Sequence, residues 1–290
     1  KKLLLMALMA VMAVGLIACG TDKSDNESTK EEKTSVTITS LDASKNEIEL
    51  EVPYNPKRIA ILDLASLDII DELGVGDRVV GMASTSIDYL EKYSNDASIK
   101  NLGTIKEADL EAVMECEPDI IFIGGRLSKS YDALSEIAPV VYLATDTNEG
   151  LVNSVSKNAK TIASIFGMED KVDSLMSDFG ARIDTIKKIS SGKTALVGMT
   201  TSGSFNLLGN DGRCSLIGVE AGFDNLTAAG STSTHGNESS FETVVQQNPD
   251  YIFVMDRDSA ISTAGAKTAK EIVENELVKT TDAYKNNHII

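Results

Sequence analysis

The sequence is poor in the residues that catalysis and crosslinking require. It has no tryptophan, two histidines and three cysteines among 290 residues. Two histidines leave little capacity for general acid–base chemistry near neutral pH. The sequence also has no glycine-rich phosphate loop, no His-x-x-x-His pair and no Cys-x-x-Cys pair. These absences argue against an enzyme, and no intrinsic cofactor is expected.

Basic residues are too scarce for a nucleic-acid-binding protein, and cysteines are too scarce for a protein stabilised by disulfides. There are 27 Lys and Arg against 44 Asp and Glu, which gives a net charge of −17 at pH 7. Such a chain lacks the positive surface that nucleic acids require, and an anionic ligand would need a local basic cluster. Three cysteines do not make a disulfide framework. Cys116 and Cys214 lie within apolar patterns and are expected to be buried thiols.

A targeting segment is predicted at the N-terminus. Two lysines precede an apolar run, residues 3–16, that is too short for a typical membrane span. The run closes with Leu-Ile-Ala-Cys-Gly at 16–20, which resembles the bacterial lipobox. The resemblance implies cleavage before Cys19 and a diacylglycerol on its thiol, so residues 1–18 are expected to be a lipoprotein signal peptide. The alternative is an ordinary secretory signal that contains an incidental cysteine.

The segment that follows is expected to be a tether. Residues 20–35 are polar and charged, so they cannot bury enough apolar surface to offset their chain entropy. We therefore expect a flexible tether over residues 19–40 and a folded part of about 250 residues, which is enough for two packed lobes. The last residues, up to Ile290, form a strand-like pattern, and the C-terminal end is expected to be truncated.

A segment that occurs twice is the most informative feature of the chain. The first copy, residues 110–123, reads Leu-Glu-Ala-Val, four residues, then Pro-Asp-Ile-Ile-Phe-Ile. The second, residues 241–254, reads Phe-Glu-Thr-Val, four residues, then Pro-Asp-Tyr-Ile-Phe-Val. Every matched pair differs by 131 positions, and the same offset takes Arg126 to Arg257.

Each copy predicts a helix, a break and a buried strand. The apolar residues at its start share one helical face, and Pro118 or Pro249 ends the turn. The apolar run that follows is typical of a strand covered on both faces. Ligands of open α/β sheets bind at the carboxyl ends of strands, so each copy predicts an arginine at a ligand-facing edge. The alternative for the repeat is that it is only a common αβ unit. The alternative for the arginines is that they are exposed to solvent and bind no ligand.

Between the copies, the pattern predicts a helical connector. Residues 151–166 and 169–189 have apolar positions at helical spacing, and Gly167 marks a break between them. Further short apolar runs predict strands at 58–62, 79–82, 140–143 and 194–199.

These elements together predict an α/β fold. We expect two Rossmann-like lobes with central β-sheets, joined by the long connector, and a ligand cleft between the lobes. The predicted bounds are 41–150 for the N-terminal lobe, 151–190 for the connector and 191–290 for the C-terminal lobe.

The order and spacing of these features resemble one known family. The lipobox, the Pro-Lys-Arg-Ile-Ala segment at 56–60, the paired Glu…Pro-Asp segments and the connector are similar to the helical-backbone class of substrate-binding proteins. Members of this class serve ABC importers for siderophores, haem and cobalamin, and the nearest likeness is to catecholate binders of the petrobactin type. The resemblance implies a monomeric lipoprotein, on the extracellular face of the cell membrane, that binds a ferric siderophore for iron uptake.

The resemblance also implies a set of ligand-binding residues. Catecholate binders carry three arginines around the ligand, and their motifs match Arg126, Arg213 and Arg257. They carry a histidine in a Ser-x-His-Gly segment, which matches His235 and makes it a candidate ligand of ferric iron. A tyrosine that completes the iron shell in that group would lie beyond Ile290.

The chemistry of these side chains suits an anionic iron complex. Guanidinium groups stay charged and donate in a planar fork, so three of them can hold the oxygens of a ferric catecholate. A siderophore with only four donors leaves ferric iron two open positions, and an imidazole can take one. The alternative for His235 is a satisfied loop histidine in the Gly/Ser/Thr-rich segment 230–240.

Glu111 and Glu242 occupy equivalent positions in the two copies. In the family, one glutamate from each lobe docks into arginine pockets on the paired permease subunits, so the resemblance implies this role here. Charges at the rim of an interface steer encounter and fix register. The alternative is that both are carboxylates near a helix N-terminus, where the macrodipole favours them.

Other functions stay open at this point. Haem or cobalamin capture would also use the arginines, with His235 or a tyrosine as an axial haem ligand. A content of 5% aromatic residues makes a broad haem sandwich less favourable. A surface interaction protein is the alternative outside transport, and it leaves the paired arginines unexplained. A chelatase-like enzyme shares the α/β pattern but needs no lipid anchor.

Overall fold

Two five-stranded sheets follow one another along the chain, and a two-stranded hairpin precedes them within the described residues. The computed structural model describes residues 33–146, 149–261 and 263–290. Residues Thr34–Ile290 form one compact unit. The predicted signal peptide and Cys19 lie outside the described residues. The alternation of strands and helices confirms the α/β class.

The N-terminal lobe contains the hairpin and a parallel sheet. Its strands are β1 Ser35–Leu41, β2 Glu47–Pro53, β3 Ile59–Leu62, β4 Val79–Met82, β5 Lys100–Asn101, β6 Ile120–Ile123 and β7 Val140–Tyr142. Its helices are α1 Leu64–Glu72, α2 Glu91–Ser94, α3 Leu110–Glu115 and α4 Tyr131–Ser135. The sheet has the order β5-β4-β3-β6-β7, with every pairing parallel. β3 and β6 are buried throughout, because one face packs on α1 and the other on α3 and α4.

The hairpin corrects the predicted end of the tether. β1 pairs with β2 in antiparallel register from Ser35 opposite Pro53 to Leu41 opposite Glu47. Residues 35–40 therefore belong to the fold and not to a tether over 19–40. Ser and Thr alternate with Val and Ile in residues 35–39, a pattern typical of a half-buried strand, and the apolar face packs on a helix far away in the chain.

Two helices lie between the sheets in the sequence, at the positions predicted for the connector. They are α5 Leu151–Phe166 and α6 Glu169–Ser190, and Gly167 between them adopts the left-handed conformation with φ 66°. α5 and the first turns of α6 pack against the N-terminal lobe. At the far end, the buried Ser190 donates from Oγ to the carbonyl of Ala221, 2.5 Å away. No helix within residues 33–146, 149–261 or 263–290 has both the length and the hydropathy that a membrane span requires.

The C-terminal lobe is built on a mixed sheet. Its strands are β8 Thr194–Thr201, β9 Ser204–Leu207, β10 Asp224–Asn225, β11 Asn237–Glu238 and β12 Tyr251–Asp256. Its helices are α7 Phe241–Gln247, α8 Arg257–Ala260, α9 Ala269–Val273 and α10 Asp282–Lys285. β8 pairs in parallel with β10 and β12 but antiparallel with β9. The β8–β9 hairpin was not predicted, although its two-residue turn, Ser202-Gly203 with φ 52° and 80°, is typical of tight hairpins.

The structure confirms the predicted repeat. α3 precedes β6 as α7 precedes β12, with the same 131-residue offset from Leu110 to Phe241. In each copy the aspartate after the proline accepts hydrogen bonds from the chain that leads into a neighbouring strand. Asp119 Oδ2 accepts from the amide of Arg58 at 2.9 Å, and Asp250 Oδ2 accepts from the amide of Thr194 at 2.9 Å. The repeat therefore encodes a shared way of aligning two parallel strands.

Candidate ligand-binding site

Arg126 follows the carboxyl end of β6 in the N-terminal lobe. A glycine pair and a 3₁₀ turn, Gly125–Ser130, carry the chain away from the strand. A Cβ on Gly124 would lie 2.6 Å from Oδ1 of Asp63, the residue that caps α1 after β3. Glycine is therefore required for these two strand ends to lie side by side. The Arg126 side chain is exposed at this edge of the sheet.

Arg257 follows the carboxyl end of β12 in the C-terminal lobe. Its side chain is 29% exposed, and Nη1 lies 3.3 Å from Thr201 Oγ1 and 3.4 Å from Asp258 Oδ1. Asp258 is buried, and its Oδ2 accepts a hydrogen bond from the amide of Ser202 at 2.6 Å. One buried carboxylate therefore fixes both the β8–β9 turn and the arginine beside it. Thr201 and Asp258 were not predicted, because only the strand pairing brings them together.

Arg213 lines a cavity of about 230 Å³ together with Thr232, Ser233 and Thr234, which belong to the loop that carries His235. Thr232 donates from its amide to Asp211 Oδ2 at 2.7 Å, which joins the two segments. The side-chain and backbone hydrogen bonds of Thr232 hold the pKa of Asp211 below its usual range. Cys214 packs on the apolar cluster near the end of β8, and its burial raises the pKa of its thiol. These contacts place the Arg213 backbone over the second sheet, with its side chain exposed.

His235 is exposed on the loop between β10 and β11. Its carbonyl accepts a hydrogen bond from Nδ2 of Asn206, on β9, at 2.9 Å. Thr234, the preceding residue, lines the same cavity as Arg213. The other histidine is held differently: His288 stacks on Tyr251 with ring centroids 4.1 Å apart, as expected for a structural histidine.

Glu111 and Glu242 are exposed in the first turns of α3 and α7. The caps of these helices are equivalent too, since Asp109 accepts from the amide of Ala112 and Ser240 from the amide of Thr243. Hydrogen bonds from the backbone of the first turn and from Ser240 lower the pKa of Glu242.

The predicted residues therefore fall into three places. Arg213 and the loop of His235 lie together, Arg257 stands at the end of β12, and Arg126 stands at the end of β6 in the other sheet. Within the part of the chain that the structure describes, no three His, Cys, Asp or Glu side chains come together as a metal-binding group. Cys116 and Cys214 are free thiols, the first buried and the second partly buried.

Two α/β sheets joined by a pair of long helices, with arginines following strand ends in both, define a bilobed binding protein. The chain belongs to the periplasmic binding protein family, whose profile matches residues 59–290. This confirms the family that the sequence resembles.

Relatives of known binding function match most of the chain. The petrobactin-binding protein YclQ of Bacillus subtilis is 36% identical over 300 residues, which cover 100% of this chain and 90% of YclQ. Its crystal structure superposes with a TM-score of 0.79 over 88% of this chain and 89% of that one. The periplasmic catecholate-siderophore binding protein VctP of Vibrio cholerae is 30% identical and superposes with a TM-score of 0.78 over 88% and 90%. The ferric-anguibactin-binding protein FatB of Vibrio anguillarum is 26% identical over 245 residues, covering 82% and 75%.

Proposed function

We propose that this chain is the substrate-binding protein of an ABC importer and that it captures a ferric catecholate siderophore for iron uptake. The observation that carries the proposal is the 36% identity to a petrobactin-binding protein across 100% of the chain. Binding, and not catalysis, is the activity that we assign to it.

The anionic complex is held in a cleft between the lobes by three guanidinium groups. Arg126 contributes from the N-terminal lobe, and Arg213 and Arg257 contribute from the C-terminal lobe. Arginine suits this task because it stays charged and its planar fork donates to several catecholate oxygens at once. Support comes from the strand-end positions of Arg126 and Arg257 and from the cavity beside Arg213.

His235 completes the iron shell of complexes that supply fewer than six donors. A four-donor siderophore leaves two positions of ferric iron open, and a neutral imidazole is a suitable ligand for one. The exposure of His235 beside the Arg213 cavity supports this role. The iron belongs to the cargo and not to the protein.

The protein is held at the extracellular face of the membrane through a lipid on Cys19, and it works as a monomer. Glu111 and Glu242 dock the two lobes onto the paired permease subunits. Their exposure, and the equivalent caps of α3 and α7, support a pair of matched acidic contacts.

A panel of ligands tests the proposed function. The chain from Gly20 onward is titrated with a four-donor and a six-donor ferric catecholate, a ferric hydroxamate, haem and cobalamin. Quenching of the seven tyrosines reports binding, since the chain has no tryptophan. We expect both catecholates to bind about 100-fold more tightly than the other ligands, a difference of about 2.7 kcal/mol. Preferential binding of haem or cobalamin would instead support the alternative ligand of the same class.

A further inference from the structure

The loop that carries His235 is closed by its own hydrogen bonds. Asn237 donates from Nδ2 to the carbonyl of Ser231 and accepts at Oδ1 from the amide of Ser233, both at 3.1 Å. Inside this ring, the amide of Gly236 donates to the carbonyl of Ser233 at 2.9 Å. The loop therefore has a fixed shape, and its direction depends on what holds it to the sheet.

Asn206 holds the loop to the sheet from beneath. It lies on β9 opposite Glu238 of β11, is 8% exposed, and donates from Nδ2 to the His235 carbonyl at 2.9 Å. Its Oδ1 is buried without a hydrogen-bond partner. A buried amide with an unpaired oxygen is costly, and an apolar side chain would avoid that cost. The bond to His235 is the contact that accounts for an asparagine at this position.

The residue after the histidine packs against the same asparagine. Gly236 has φ 77°, and a Cβ there would lie 2.8 Å from Asn206 Cβ and 3.0 Å from the Leu207 carbonyl. The loop backbone therefore rests directly on β9, and no other residue fits at position 236 without displacing it. Asn206 thus contacts two consecutive points of the loop, the His235 carbonyl and Gly236, directly after the His235 Cα.

We propose that Asn206 is a positioning residue that sets the direction of the His235 imidazole, an inference that rests on the proposed function. Asn206 is buried and acts on the ligand only through His235. It therefore governs selectivity between two kinds of ferric catecholate. A four-donor complex needs the imidazole at a fixed place, and a six-donor complex does not.

Two substitutions of Asn206 test the proposal. Asn206→Asp keeps the shape but removes the donor and points an oxygen at the His235 carbonyl, and Asn206→Ser is neutral but too short to reach it. We expect affinity for the four-donor complex to fall about 3- to 10-fold, the range of one lost hydrogen bond, with a shifted charge-transfer band. Affinity for the six-donor complex stays unchanged in the same preparations.

A matched control separates positioning from stability. Ser190→Ala removes another buried hydrogen bond, the one to Ala221 at the connector, and should lower stability without changing either affinity. In a His235→Ala background, Asn206→Ser should have no further effect on the four-donor complex. An effect that persists in that background, or an equal loss for the six-donor complex, overturns the proposal.

The same experiment separates this inference from the proposed function. If His235→Ala leaves the four-donor affinity unchanged while the unsubstituted chain binds both catecholates, the positioning role is wrong and siderophore capture stands. If the unsubstituted chain binds neither catecholate, the proposed function fails, and the positioning role fails with it.

Discussion

Glu117 and Asn248, the residues that precede the two repeat prolines, both adopt the left-handed backbone conformation, with φ 44° and 40°. Asparagine tolerates this region, whereas a longer side chain such as glutamate is strained there. The backbone at Glu117 is nevertheless fixed, since its amide donates to the Met114 carbonyl at 3.0 Å and its carbonyl accepts from Arg58 Nε at 2.9 Å. The first copy of the repeat therefore carries a strain that the second copy avoids.

Glu117→Asn should relieve this strain. The side chain is exposed, so the change removes no buried contact, and we expect the free energy of unfolding to rise by about 0.5–1 kcal/mol. Urea denaturation measures the gain. Glu136→Asn is the matched control, because Glu136 is an exposed glutamate at a helix end with φ −72°. A loss of stability at position 117, or an equal gain at 136, would contradict this explanation.

Among the candidate site residues, some could be predicted from the sequence and others could not. Arg126 and Arg257 follow apolar runs at one constant offset, which is visible in a single sequence. Asn206 and Asp258 are different, because Asn206 comes near His235 only through the β9–β11 pairing and Asp258 near Ser202 only through the β8–β12 pairing. The Ser202-Gly203 turn is the sequence signal for the β8–β9 hairpin, and hence for Asn206 inside a strand, but it was not used.

At the scale of helices and strands, an equivalent aspartate stabilises each copy of the repeat, Asp119 in the first and Asp250 in the second. Asp250 accepts from the amide of Thr194 and from its hydroxyl, at 2.9 and 3.1 Å, where β8 begins beside β12. The backbone hydrogen bond from Thr194 is the main reason that the pKa of Asp250 lies below its ordinary value of 3.8. The Thr194 hydroxyl, Lys193 and His288 lower it further, although burial acts in the opposite direction.

Acid should therefore release this strand contact. Because the folded-state pKa of Asp250 is depressed, its contribution to stability is complete above about pH 4 and is lost as pH falls through the folded-state value. Asp250→Asn should be less stable than the unsubstituted chain at pH 7, and the difference should shrink towards pH 2. Urea midpoints at a series of pH values measure it. A difference that is constant across this range would show that Asp250 contributes nothing dependent on its charge.

The elements that the sequence predicted are those with a strong local pattern. α3, β6, α7, β12 and both connector helices are either continuously apolar or periodic, so their burial can be seen locally. β1 and the β8–β9 hairpin were missed. β1 alternates polar and apolar residues, which is a strand pattern, but it follows directly on the polar segment and was included in the predicted tether; its partners are β2 and α5. The contact with α5, more than a hundred residues later, is the part that a local window of sequence does not show.

For the molecule as a whole, charge distribution is the central physical feature. The net charge of −17 repels an anionic ligand at long range, and only clustered guanidinium groups reverse this at short range. Arg126 stands on one sheet, and Arg213 and Arg257 stand on the other. We therefore expect a ligand captured between the lobes, as proposed, to depend on arginines from both.

Titration of a six-donor ferric catecholate against single arginine variants tests this dependence most directly. Arg126→Ala removes a charge from the N-terminal lobe and Arg257→Ala one from the C-terminal lobe, while Arg182→Ala removes an exposed charge from the connector as the control. We expect each of the first two to weaken binding about 10- to 100-fold, as the loss of charge-assisted hydrogen bonds implies, with no change for the control. Unchanged affinity in either Arg126→Ala or Arg257→Ala would contradict capture of one anion by both lobes.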